Sequence, residues 1–151
     1  MTKRWLLLAC AALLARPALA LAAADTTDDP TGDWRTFDDK TGVERSVIRI
    51  EQHNGILTGR VVSTVIPGDG ARLCEKCSGD RKDQKVLGLQ IIRGMRRDGD
   101  EWSGGTVLDP ETGSVYRGTI RLDAGGTRLV LRGYIGISLF GRSQTWVRKQ
   151  P

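Results

Sequence analysis

Histidine occurs once in the 151 residues, at His53, and cysteine only three times. A single imidazole leaves no second histidine for a metal cluster, and no serine sits in a nucleophile elbow, so hydrolase chemistry has little support. Aromatic residues make up 5% of the chain and prolines number five. Past residue 24 no segment sustains a capped helical period, which argues against a helical bundle. The one long apolar run, Trp5 to Ala15, is shorter than the roughly 20 residues that span a bilayer, so a multi-pass membrane protein is excluded. A hydrophobic content of 39% excludes a disordered chain, and the composition does not repeat as collagen does.

What is present begins with a leader. Lys3 and Arg4 precede the Trp5–Ala15 run, Arg16 and Pro17 break it, and Ala18-Leu19-Ala20 and Ala22-Ala23-Ala24 put small residues where a signal peptidase reads. Residues 1–24 are therefore expected to be a helical, cleaved signal peptide, and the product a periplasmic or secreted protein. An uncleaved anchor is the rival. Only five apolar residues stand before Cys10, so it reads as part of the leader's apolar run rather than as a lipidation site. Removing the leader leaves 127 residues, residues 25–151, as one domain. The 23 basic residues become 20 against 18 acidic, and the net charge falls from +5 to +2. All 19 glycines stay, with Cys74 and Cys77 as the remaining cysteines.

Turn signals punctuate the rest: Asp38-Asp39-Lys40-Thr41-Gly42, His53-Asn54-Gly55, Asp98-Gly99-Asp100, Asp109-Pro110-Glu111-Thr112-Gly113 and Asp123-Ala124-Gly125-Gly126. Asn-Gly and Asp-Gly accept the positive φ of tight hairpins, and Asp-x-x-Thr-Gly suits a longer hairpin with a left-handed glycine. Between them the residues alternate, as where Tyr116, Gly118, Ile120 and Leu122 interleave with Val115, Arg117, Thr119 and Arg121. The pattern predicts strands over 32–37, 43–52, 56–65, 88–96, 101–108, 114–122, 128–134 and 142–149. About eight strands on short turns predict an all-β, antiparallel up-and-down barrel, with a two-sheet sandwich as the alternative. Strand glycines such as Gly59, Gly104, Gly105 and Gly118 fit the close packing of a small barrel. Residues 66–87, polar and long, and the apolar 135–141 interrupt the meander; such segments serve as lids or rims, or form plain surface excursions.

Several motifs together carry a family resemblance: Gly32-Asp33-Trp34-x-Thr36, the Asp38–Gly42 turn, Cys74-x-x-Cys77 with Gly79-Asp80, and Gly88-Leu89-x-Ile91. They continue with Gly104-Gly105-x-Val107-Leu108 running to Tyr116, then Arg132-Gly133-Tyr134-Ile135-Gly136-Ile137-Ser138-Leu139-Phe140-Gly141-Arg142 and Gln144-Thr145-Trp146. The set resembles the domain-of-unknown-function 2147 family of exported bacterial proteins over nearly all of the mature chain. Lys85 departs from the proline often found before the Gly-Leu-x-Ile strand. The resemblance implies a lipocalin-like, calycin-like barrel and carries over no catalytic residue. It also implies that Trp34, beside Gly32, closes the barrel bottom under an arginine of the last strand, Arg148 or Arg142, with Trp146 as core.

Cys74-Glu75-Lys76-Cys77 is the one chemical motif. In an exported protein the default is a disulfide that tightens the loop; a redox pair or a metal site lacks its usual setting. So short a loop contributes less than the roughly 3 kcal/mol of a fifteen-residue one. Asp38, Asp39, Asp109 and Glu111 lie in turns, where such side chains bond their own backbone, so no catalytic role is assigned to them. Trp102, Tyr116, Leu129, Leu131 and Phe140 are the candidate lining of a ligand site in the barrel mouth, against the alternative of a lumen filled by side chains. The strand arginines read as a solvated exterior, and a net charge of +2 gives nucleic-acid binding little support.

The expected function is an exported, non-enzymatic barrel holding a small apolar or amphipathic molecule in its mouth, with 66–87 and 135–141 as rims. No cofactor, metal or transmembrane span is expected in the mature chain. Two other readings stay open. One is an envelope interaction or stress module with a packed barrel and partner-binding loops. The other is a thiol-redox protein using Cys74 and Cys77.

Overall fold

The computed structural model describes residues 28–137 and 139–150. The expected leader, its helix and Cys10 lie outside the described residues. Among those described, no helix is long and apolar enough to cross a membrane.

Eight strands run in chain order around a closed antiparallel barrel. They are β1 (Gly32–Phe37), β2 (Glu44–His53), β3 (Ile56–Thr64), β4 (Gln90–Asp98), β5 (Glu101–Leu108), β6 (Val115–Asp123), β7 (Arg128–Tyr134) and β8 (Gly141–Arg148). Every strand expected from the alternation is present with ends shifted by at most two residues, and the barrel replaces the sandwich alternative. Two short 3-10 turns, Asp69–Ala71 and Gly79–Arg81, interrupt the β3–β4 connection.

The turn chemistry places the ends. Asn54 and Gly55 both take positive φ, which lets β2 fold directly onto β3. The Asp38–Gly42 and Asp109–Gly113 turns are built alike: the glycine N–H donates to the aspartate carbonyl at 2.8 Å in each. In each the aspartate carboxylate also accepts from the threonine hydroxyl, at 3.0 Å. Register then fixes which turns share an end of the barrel. The 54–55, 99–100 and 124–127 turns cluster with the start of β1 and the end of β8. The 38–43, 65–89, 109–114 and 135–140 connections gather at the other end.

The first end is filled and sealed. Trp34, Ile48, Ile50, Leu57, Ile92, Met95, Ile120, Leu129 and Trp146 are buried there or in the waist above it. Met95 lies in a groove that glycines leave open: a Cβ on Gly118 would come within 2.5 Å of Met95 Cε and 2.6 Å of Val107 Cγ2. A Cβ on Gly105 would collide with the Arg93 carbonyl. Below this core, β1 meets β8 through only two backbone partners, Trp34 with Arg148 and Arg35 with Val147.

Arg148 completes that short seam. Its guanidinium carbon lies 4.2 Å from the centre of the Trp34 ring. Nε donates to the Gly126 carbonyl at 2.7 Å, Nη1 to Thr31 at 2.8 Å and Nη2 to Asp29 at 2.6 Å. Trp34 Nε1 donates to the Pro30 carbonyl at 2.8 Å, so residues 29–31 are strapped across the opening. Gly32 leaves room for this, since a Cβ there would stand 3.3 Å from Arg148 Nη1. Arg97 covers Trp102 in the same way, 4.3 Å from its ring centre, and pairs with Asp28 at 2.9 Å. Of the two arginines the sequence offered for this closure, Arg148 makes it; Arg142 lies at the opposite end.

Arg148→Ala removes three charge-assisted bonds and a ring contact, and is expected to cost about 2–3 kcal/mol in urea unfolding. Arg142→Ala, which loses only an exposed ion pair, is expected to cost less than about 1 kcal/mol. Equal costs would contradict the assignment of the closure to Arg148.

Candidate functional site

Above the packed waist the lumen opens into two neighbouring cavities. The first, of about 340 Å³, is mainly apolar: Val107, Leu108, Tyr116, Leu131, Ile135 and Phe140 line it. β5 and β6 set Val107 opposite Tyr116, and β7 brings Leu131 opposite Gln144 on β8. The second, of about 220 Å³, is polar and charged, with Asp38, Asp39, Arg45, Asp69, Arg72 and Glu111 on its walls. Asp109, Arg142 and Gln144 belong to both cavities.

Ion pairs organise the charged side. Arg45 on β2 pairs with Asp38 at 3.4 Å and reaches Glu111 on the β5–β6 turn. Arg142 pairs with Asp39, and Gln144 Nε2 donates to the same carboxylate at 3.1 Å. These two side chains of β8 bridge to the β1–β2 turn, where β1 and β8 no longer pair through their backbones. Arg72 Nε donates to Asp69 at 2.8 Å. Thr36 and Ser46 share a hydroxyl–hydroxyl bond of 2.8 Å. The Asp38 carboxyl is held below the usual carboxylate range, chiefly by the Thr41 backbone N–H, then by the Thr41 hydroxyl and the Lys40 N–H, with Arg45 adding least.

The 66–87 connection is a packed cover rather than a loose excursion. Cys74 and Cys77 form a disulfide and are both buried. Leu73 and Lys85 form a β-bridge, and the Cys74 N–H donates to Gln84 at 2.8 Å. The Cys74 Sγ lies 3.5 Å from the Pro110 carbonyl oxygen, which sets the disulfide against the β5–β6 turn. Gly113 in that turn has φ +73°, and a Cβ there would collide with the Lys76 carbonyl, so only glycine allows the contact. Asp80 receives both Arg93 nitrogens, at 3.0 and 2.7 Å, anchoring the cover to β4. This pairing lowers the Asp80 carboxyl below its ordinary value.

Tyr116, Leu131 and Phe140 come together in the apolar cavity as the sequence suggested. Trp102 and Leu129 do not. Both are buried in the packed core, Leu129 opposite Trp146 and Trp102 beneath Arg97 at the sealed end. They correctly face inward, but register puts them too far down the barrel. Both expected rims contribute, 66–87 through Asp69, Arg72 and Val86 to the polar cavity and 135–141 through Ile135, Phe140 and Gly141 to the apolar one. Asp38 and Asp109 bond their own turns as expected, whereas Asp39 and Glu111 reach out to arginines. His53 is exposed at the sealed end, remote from both cavities.

A family model described as "Uncharacterized protein conserved in bacteria (DUF2147)" matches residues 32–148, from the first residue of β1 to the last of β8. The chain belongs to the DUF2147 family. Among solved structures it is similar to protein HP1028 from Helicobacter pylori, described as belonging to the lipocalin family. The two share 18% identity and a TM-score of 0.69, over 81% of this chain and 84% of that one. That likeness is one of fold. A search of curated proteins finds no match.

Sequence reasoning missed Val107, Leu108, Arg142 and Gln144 in this DUF2147 site. One signal was available: Arg142 and Gln144 share the inward parity of Trp146 on β8. The ion pairs across the mouth had none, because they join residues at least 66 apart in sequence, as Arg45 with Glu111 and Arg142 with Asp39.

The lowered carboxyls of Asp38 and Asp80 fix the sign of a pH effect. Their stabilisation is complete above the ordinary carboxyl value of about 4 and is lost as pH falls through the depressed native values. The thermal midpoint is expected to fall on acidification below about pH 4, and Asp80→Asn to be less stable at neutral pH with a smaller acid drop. A variant with the full wild-type acid drop would contradict a contribution from the Asp80–Arg93 pair.

Proposed function

We propose that this chain is an exported, non-enzymatic binding protein that holds a small amphipathic molecule in the barrel mouth. One observation carries the reading: an apolar cavity of about 340 Å³ opens beside a charged one of about 220 Å³, with Asp109, Arg142 and Gln144 common to both. The larger volume falls at the lower end of the roughly 300–1,000 Å³ typical of small-molecule pockets. An apolar chain fits against Leu131, Tyr116 and Phe140, and a polar head fits among the ion pairs of Arg45 and Arg142. The leader at residues 1–24 and the buried disulfide support export. The disulfide's burial also favours a stapling role over thiol exchange, which needs an accessible sulfur.

Titration with an environment-sensitive apolar fluorophore tests the reading. Saturable uptake by the wild type is expected, and Leu131→Trp, which fills the cavity, is expected to weaken it at least about tenfold, the loss of roughly 1.4 kcal/mol of contact. Absence of saturable uptake across alkyl amines, fatty acids and neutral amphiphiles would contradict it.

A further inference from the structure

The β7–β8 connection is the most exposed apolar part of the described chain. Ile135, Ile137, Leu139 and Phe140 are 71%, 61%, 76% and 75% exposed. Single exposed apolar side chains are ordinary, but four large ones within six residues form a patch that water disfavours. No described residue covers them. The hairpin is nevertheless built: the Phe140 N–H donates to the Ile137 carbonyl at 3.3 Å, and Arg132 donates to the Leu139 carbonyl at 3.3 Å and to Ser143 Oγ at 3.2 Å.

Two arginines stand at its base. Arg132 fastens the hairpin from β7, and Arg117 on β6 stands opposite Tyr134, the residue before the apolar tip. Arg117 is exposed, whereas Arg121, opposite Glu101, lies toward the sealed end. Among the described residues no carboxylate lies within ion-pair distance of Arg117. An apolar tip with Arg117 and Arg132 at its base matches an anionic bilayer, with aliphatic groups at the acyl boundary and guanidinium groups among the phosphates. A two-fold pairing with a second copy would instead set these arginines against one another.

We propose that the β7–β8 hairpin docks the barrel mouth onto an anionic lipid surface. Ile135 and Phe140 line the apolar cavity as well as the tip, so a docked barrel would open that cavity toward the lipid. The inference deepens the ligand-binding reading, and rests on it for its purpose, by naming the bilayer as the place where an amphipathic ligand is collected or delivered.

Flotation with vesicles of phosphatidylcholine alone, and of phosphatidylcholine mixed with phosphatidylglycerol, tests it on residues 25–151, which contain the whole barrel. The wild type is expected to float with the anionic vesicles and less with the neutral ones. Ile137→Ser with Leu139→Ser is expected to lower that partitioning at least tenfold. Arg117→Gln is expected to lower it about fivefold on anionic vesicles only, and Arg121→Gln, at the far end of β6, to leave it unchanged. Neither Ile137 nor Leu139 lines the cavity, so the serine variant is expected to keep its affinity for the fluorophore in solution, while Leu131→Trp keeps vesicle binding. Vesicle binding without fluorophore uptake would thus remove the ligand reading and leave docking intact. No flotation with either vesicle, or equal flotation of wild type and serine variant, would overturn the docking proposal. So would a wild-type dimer that the serine variant loses, in a protein that does not float.

Discussion

Beneath the Trp34 ring, Arg148 ties the last strand to the first and both to the segment that precedes them. Backbone pairing between β1 and β8 is brief, so the barrel there depends on a side chain to finish what the ladder begins. The guanidinium suits the task because its planar face stacks on the indole while its edge donates to three carbonyls at once. None of these three acceptors is a carboxylate; burial pulls its proton affinity below the ordinary arginine value, and the nearby Asp29 carboxylate offsets only part of this. Oriented peptide dipoles and a ring face make the direct contacts with the charge.

Sealing one end allows the other to stay open. With Trp34, Trp146 and Leu129 packed at the base and Met95 in the glycine-lined waist, the core occupies the lower lumen without needing the upper part. At the mouth, the β1–β8 seam is joined by Arg142 and Gln144 to Asp39 rather than by a ladder. Exposed ion pairs of this kind contribute little stability, so they are weaker ties than the Arg148 closure. The disulfide-stapled cover over residues 66–87 and the β7–β8 hairpin then shape an opening that a sealed barrel would not present. A firm base and a weakly tied mouth are the physical division on which the binding reading stands.

The sequence carried much of this and missed a definable part. Alternation in β6 and β7 told inward from outward correctly, and Asp-x-x-Thr-Gly and Asn-Gly marked the turns, because each depends on neighbours in the chain. Depth along the barrel axis depends on register between strands, which alternation does not encode. Trp102 and Leu129 were therefore rightly placed inside but at the wrong level, while Gln144, polar and two residues before Trp146, was read as part of a motif and not as part of the site. The pairs from Arg45 to Glu111 and from Arg142 to Asp39 exist only once eight strands have closed.

Hydrogen exchange measured with and without a bound alkyl amphiphile bears most directly on this division of the barrel. Ligand is predicted to slow exchange in residues 107–116 and 131–144 and to leave the sealed end, around Trp34, Gly126 and Arg148, unchanged. Slowing concentrated at the sealed end, or spread evenly around all eight strands, would contradict it.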